Sequence, residues 1–124
     1  MKSEISDRSS LGRSGEELAA AYLMQNGYII RDRTWRSGKT EIDIIAENNG
    51  FIVFVEVKTR SADYQVHPAE AVNVPKQRII INAASNYINR NGLVKEARFD
   101  IITVIISRAG REVDHIENAF YPTI

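Results

Sequence analysis

Residues 40–59, TEIDIIAENNGFIVFVEVKT, constrain the fold more tightly than any other stretch of the chain. Two runs rich in β-formers flank Asn48-Asn49-Gly50. Asn-Gly between apolar runs signals a two-residue hairpin turn, because both residues tolerate positive φ. A two-residue loop at Asn49-Gly50 sets Asn48 opposite Phe51, Asp43 opposite Glu56 and Glu41 opposite Lys58. Strict alternation along the strands then aims Asp43, Glu56 and Lys58 from one face. The second run is almost continuously apolar up to Val55, so it reads as a central strand covered on both faces.

Two opposed carboxylates are unfavourable on a sheet. Like charges about 4 Å apart repel by roughly 4 kcal/mol at an effective dielectric near 20. Three things can neutralise such a pair: a divalent cation, a proton, or an ion-pair lattice formed with Lys58 and Glu41. A hard cation such as Mg²⁺ favours one or two carboxylates together with waters and phosphate oxygens, which suits an Asp/Glu pair. Neither His67 nor His115 is near this pair in sequence, so zinc is not suggested. An ammonium at Lys58 could orient an attacking water or offset charge building on a phosphorus.

The remaining elements follow from periodicity and punctuation. The pattern predicts a helix from Ser9 or Ser10 to about Gln25, stopped by Asn26-Gly27. Its stripe is Leu11, Gly15, Leu18, Ala19, Tyr22 and Leu23, with Glu16 at the edge and Glu17 pointing to solvent. Gly12 and Gly15 lie on the buried side, where they permit close approach to a sheet. Residues 28–36 read as a first strand, with Arg31, Arg33 and Trp35 on one face. Residues 61–72, which contain Tyr64 and His67, read as a loop. A second helix begins between Asn73 and Lys76, with Pro75 in its first turn and Ile79, Ile80, Ala83, Ala84 and Tyr87 on its apolar face. It ends at Asn91-Gly92 and is followed by strands at 98–106 and near 112–117. Asp100 is expected to hold local structure, through Arg98 or a helix end. The chain therefore reads as one α/β domain over 10–120, a mixed central sheet flanked by helices, with a flexible stretch at 1–9 and a tail at 121–124.

Composition narrows the function classes. The 16 Lys and Arg balance the 16 Asp and Glu, which argues against a protein that simply coats nucleic acid. That zero hides a pattern: residues 41–57 carry four acids and no base, between flanks that are each net +2. The basic side chains of those flanks, Arg31, Arg33, Arg60, Lys76 and Arg78, are the candidates for phosphate contact. A charge-protected edge strand explains Arg31 and Arg33 equally well, and a snorkelling stem explains Lys76. The absence of cysteine, of any apolar run near 18 residues and of a signal-like N-terminus points to a cytoplasmic protein with no membrane role.

Asp43, Glu56 and Lys58 form D-x12-E-x-K, which resembles the PD-(D/E)xK nuclease signature. The order αβββαβ matches that family's restriction-endonuclease-like core. The GRSGEE helix with Glu16 resembles archaeal Holliday-junction resolvases. Over residues 10–120 the chain is most similar to the bacterial YraN family of nuclease-like proteins. The resemblance rests on GRSGEELAAAYL, GY at 27–28, EIDIIA, FVEVKTR, AVNVPKQR, RFD and HIENAF. Thr40 stands where that family usually has Gly, and Ile42 replaces the signature proline. The resemblance implies Mg²⁺- or Mn²⁺-dependent phosphodiester hydrolysis on structured or branched DNA. Asp43, Glu56 and the Val57 backbone carbonyl would ligate the metal. Lys58 would position or activate water, and Glu16 would hold a second metal or an outer water. A homodimer is expected if the substrate is a junction, since each chain carries one site.

Overall fold

At the hairpin, Asn49 and Gly50 both adopt positive φ, 48° and 85°. The computed structural model describes residues 4–61 and 73–120, with side chains in the first helix described from residue 14 onward. The turn joins β2 (Thr40–Asn48) to β3 (Phe51–Ser61), and its register is the expected one, Asn48 opposite Phe51 through Ile44 opposite Val55. Around this hairpin the chain adds α1 (Glu4–Gln25), β1 (Ile29–Ser37), α2 (Val74–Arg90), β4 (Glu96–Ser107) and β5 (Gly110–Phe120). The sheet order is β1-β2-β3-β4-β5. Only the β3–β4 pairing is parallel, so the sheet is mixed and β3 is central.

Each face of the sheet carries one helix. Ala19, Ala20 and Leu23 of α1 pack on Ile44, Ala46, Val53, Val55, Ile102 and Val104. Ile80, Ala83, Ala84 and Tyr87 of α2 pack on Ile42, Ile45, Ile52, Phe54, Phe99 and Ile101. The run Ile52–Val55 is buried on both sides, as its unbroken apolar character requires. None of the described helices is long and apolar enough to cross a membrane.

Several details depart from the sequence reading. Helix α1 begins at Glu4, so Ser9 and Ser10 lie within it and neither caps it. Ile79 is half exposed, one step off the buried face of α2. The final strand spans Gly110–Phe120, because pairing with β4 extends a segment of weak intrinsic signal. Tyr64 and His67 lie outside the described residues.

The helix–sheet spacing on the α1 side depends on Gly15. A Cβ there would overlap the Thr59 hydroxyl and come within 2.9 Å of Thr59 Cβ. Gly15→Ala is therefore expected to lower stability by about 1–3 kcal/mol through overpacking, against a helix-propensity gain of about 1 kcal/mol. Urea midpoints measure this, and Thr59→Gly should recover most of the loss. A Gly15→Ala protein more stable than the parent would mean that α1 does not rest on Thr59.

Candidate metal centre

The β2–β3 ladder ends at Ile44–Val55, and beyond it the two strands part. Strand β2 stays with β1, with Ile42 opposite Trp35 and Glu41 opposite Arg36. Strand β3 stays with β4, with Glu56 opposite Ile101 and Lys58 opposite Thr103. Asp43 sits in the resulting fork. Its carboxylate replaces the missing ladder rung: Val57 N–H donates to Asp43 Oδ2 at 2.8 Å. The N–H and C=O of one strand residue point to the same side, so the Val57 carbonyl also faces the fork.

A kink across β1 and β2 accompanies the fork. Ile42 packs in the α2-side core and Ile44 in the α1-side core, so strict alternation fails at Asp43. The matching break on β1 is Thr34, which takes φ +52°, a strained value for a β-branched residue. Arg33 thus turns toward Glu17 of α1, while Trp35 stacks edge-on against Tyr87 of α2. Two expectations are corrected by this kink. Asp43 does not share one regular strand face with Glu56 and Lys58, and Arg33 does not share the Tyr87 side on which Arg31 and Trp35 both lie, a second β1 irregularity between Ile30 and Asp32 separating Arg31 from Arg33.

The charges around the fork are unevenly compensated. Glu56, with its side chain 12% exposed, accepts from Lys58 Nζ at 3.4 Å and from Lys76 Nζ at 2.9 Å, both on Oε1. Glu41 is not part of that lattice and pairs instead with Arg36 Nε at 3.0 Å, because the fork carries it away from Lys58. No ammonium or guanidinium among the described residues lies within ion-pair distance of Asp43. Burial, reinforced by the charge of Glu56, pushes the Asp43 carboxyl up to about 7, and Glu16 and Glu41 add to the rise against the Val57 N–H bond. Glu16 is itself raised by burial, with Arg33 opposing and Glu41, Glu17 and Glu56 adding to it. Burial lowers Lys58, and Lys76 lowers it further, against the pull of Glu56.

These features bear on whether a divalent cation suits the residues present. Among the described residues, no three His, Asp or Glu side chains are gathered tightly enough to hold an ion by themselves. The protein's own contribution is the pair Asp43 and Glu56, with the Val57 carbonyl facing Asp43. That is the partial donor set Mg²⁺ accepts when waters and phosphate oxygens complete its shell. The unpaired Asp43 is the observation that fits a cation: no described Lys or Arg forms an ion pair with it, and the ammonium that acts on it from a distance, Lys76, is bonded to Glu56.

The other candidate residues are distributed as follows. Arg33, Lys76 and Arg78 are exposed, and Arg60 is half-buried beside Lys58 on β3. Arg31 is committed elsewhere: it bonds Glu47 and the Tyr87 hydroxyl, each at 3.0 Å. Glu47 lies about 13 Å along β2 from Asp43, at roughly 3.3 Å per residue. The sequence reading did not place Lys76 on Glu56. A basic residue in the first turn after a cap was its only signal, and the cap is real: Asn73 Oδ1 accepts from Lys76 N–H at 3.0 Å.

The element order αβββαββ over one mixed five-stranded sheet, with a helix on each face, defines an α/β protein with an αβββαβ-type core. Residues 15–104 match the model of the family described as "Uncharacterised protein family UPF0102", and the chain belongs to that family. It is 43% identical over 120 residues to a UPF0102 protein of Bacteroides thetaiotaomicron, covering 97% of this chain and 99% of that one. It is also 43% identical over 122 residues to one from Chlorobium phaeobacteroides (93% and 96% covered). A Porphyromonas gingivalis relative is 40% identical over 118 residues (94% and 87% covered).

Proposed function

We propose that this protein is a divalent-metal-dependent phosphodiester hydrolase, an endonuclease acting on structured or branched DNA. The observation that carries the reading is the strand fork, which holds an unpaired Asp43 beside Glu56 and Lys58. Asp43, Glu56 and the Val57 carbonyl would hold Mg²⁺ or Mn²⁺. Such an ion supplies Lewis acidity and a coordinated water of lowered pKa. Lys58 stands two residues beyond Glu56 on the same strand face, where its ammonium orients the attacking water or offsets charge on the phosphorane oxygens. Glu16 reaches the site from α1, where its carboxylate can hold an outer water. Arg33, Arg60, Lys76 and Arg78 are the backbone-phosphate contacts. Arg31 is the weaker candidate, because Glu47 and Tyr87 occupy it.

A junction has two strands to cut and each chain has one site, so the working form is a homodimer in this reading. A cytoplasmic setting suits the chemistry and the absence of cysteine. Net neutrality favours a second reading, a non-cleaving nucleic-acid-binding protein of the same fold with modest, salt-sensitive affinity.

Cleavage of junction, flap and single-stranded DNA with Mg²⁺ or Mn²⁺ separates the two readings. Glu56→Ala and Lys58→Ala should each slow cleavage about 100-fold or more. Wild type and both variants equally inert on every substrate, while still binding DNA, would establish the second reading.

A further inference from the structure

Glu56 Oε1 is held by two ammonium groups that come from different elements. Lys58 approaches along β3, and Lys76 approaches from the first turn of α2, where the Asn73 cap fixes its backbone. The longer-range partner makes the closer contact, 2.9 Å against 3.4 Å. An enclosed charge is stabilised by a pairing partner. Yet the oxygen occupied by Lys76 belongs to one of the two carboxylates available to a cation. Lys76 is 47% exposed along its side chain, so its ammonium can swing away into solvent without leaving a buried charge.

We propose that Lys76 is a built-in counter-ion for Glu56, which yields the carboxylate oxygen to a divalent cation and then remains at the rim as a phosphate contact. This rests on the reading of Asp43 and Glu56 as a cation site. It makes Lys76 a positioning residue that competes with the metal. The ion pair holds the Glu56 side chain in place before the metal arrives, at the expense of metal affinity. It also couples metal uptake to phosphate capture, because the ammonium is released only when the cation binds.

The test is Mn²⁺ titration by calorimetry of the whole protein without nucleic acid, comparing wild type with Lys76→Met and Lys76→Arg. Removing a half-exposed competing charge should tighten Mn²⁺ binding by roughly fivefold in Lys76→Met. Lys76→Arg should bind as wild type does. The same Lys76→Met protein should hold a DNA junction less tightly in Ca²⁺, with a salt slope reduced by about 1. A structural role for Lys76 predicts the opposite, weaker Mn²⁺ binding through a disordered Glu56. Equal or weaker Mn²⁺ binding by Lys76→Met overturns the counter-ion role alone. Absence of Mn²⁺ uptake by all three proteins overturns the cation site itself, and this proposal with it.

Discussion

Asp100→Ala is expected to lower the stability of this protein by about 3–5 kcal/mol, the range for breaking a buried ion pair from one side. For a domain of this size that corresponds to a fall in thermal midpoint of about 10–20 °C. Asp100 is fully buried and is the only charged or polar residue so classed among the described residues. Four donors converge on it. Arg98 binds both oxygens, Nε to Oδ1 at 3.0 Å and an η-nitrogen to Oδ2 at 2.8 Å. His115 Nε2 lies 2.7 Å from Oδ2, and Asn118 N–H donates to Oδ1 at 3.0 Å. The last bond secures the irregular register between β4 and β5 near Phe99 and Ile101, where Asn118 takes φ +53°. The network extends through Arg98 to Tyr28 and Glu117, and through His115 to Tyr22 of α1. Truncation would therefore strand a guanidinium and a backbone N–H and loosen the last strand.

Asp100→Asn keeps the shape but removes the charge, and should cost less than Ala. The acid limb provides an independent check. Burial opposes ionisation of Asp100, but the bonds from His115, Arg98 and Asn118 hold its carboxyl below the usual range. A depressed folded pKa gives stability that is present above the unfolded value and lost as pH falls below it. The gap between wild type and Asp100→Asn should therefore close below about pH 4, the ordinary carboxyl range. A loss under 1 kcal/mol for Asp100→Ala would show that the network is not an anchor of the sheet.

The Asp43→Asn variant should do the reverse: gain stability and lose function. The Asp43 carboxyl is pushed up to about 7 in the fold, from an ordinary value of 3.8. Between those values the folded protein keeps a proton that the unfolded chain has released. Stability must therefore fall as pH rises from about 4 to about 7, and stay low above that. At 1.36 kcal/mol per unit, the effect is on the order of 2–4 kcal/mol. Asparagine can still accept from Val57 N–H and carries no charge to penalise. Calorimetry without divalent ions should show Asp43→Asn more stable than wild type by that amount at pH 8. The advantage should disappear near pH 4. Saturating Mn²⁺ should restore wild type through binding linkage and leave the variant unmoved, while cleavage by the variant falls about 100-fold or more. An Asp43→Asn protein less stable than wild type at pH 8 would mark the carboxylate as structural.

Together, the two aspartates show how one sheet treats a buried and a half-buried carboxylate in opposite ways. Asp100 is surrounded by donors and is ionised at a gain. Asp43 faces the acids Glu56, Glu16 and Glu41, accepts one N–H, has no ion-pair partner among the described residues, and is ionised at a cost. Stability set aside at a strand fork, next to a strained Thr34, is the pattern expected where a ligand supplies the missing charge.

Much of this was legible in local patterns. The hairpin register followed from Asn49-Gly50, since a turn with two positive-φ residues leaves only one alignment of its strands. The start of α2 followed from Asn73 and Pro75, and its end from Asn91-Gly92, where Gly92 takes φ +59°. Gly15 was legible as a close approach because it falls on the apolar stripe of α1. What misled was extending strict alternation through Asp43, which assumed that β2 and β3 stay paired to their ends.

Local turn chemistry and apolar period thus determined most of the elements, the central place of β3, and the alignment of β2 with β3 up to Ile44 and Val55. Those signals act within a few residues and need no partner. Tertiary structure alone decided where the strands part, that Lys76 reaches Glu56 from 20 residues away, and that His115 closes on Asp100 from 15. Each of these depends on which strand captures which edge and on where a helix comes to rest. Burial and long-range pairing set that outcome, and the pattern of any one segment does not encode it.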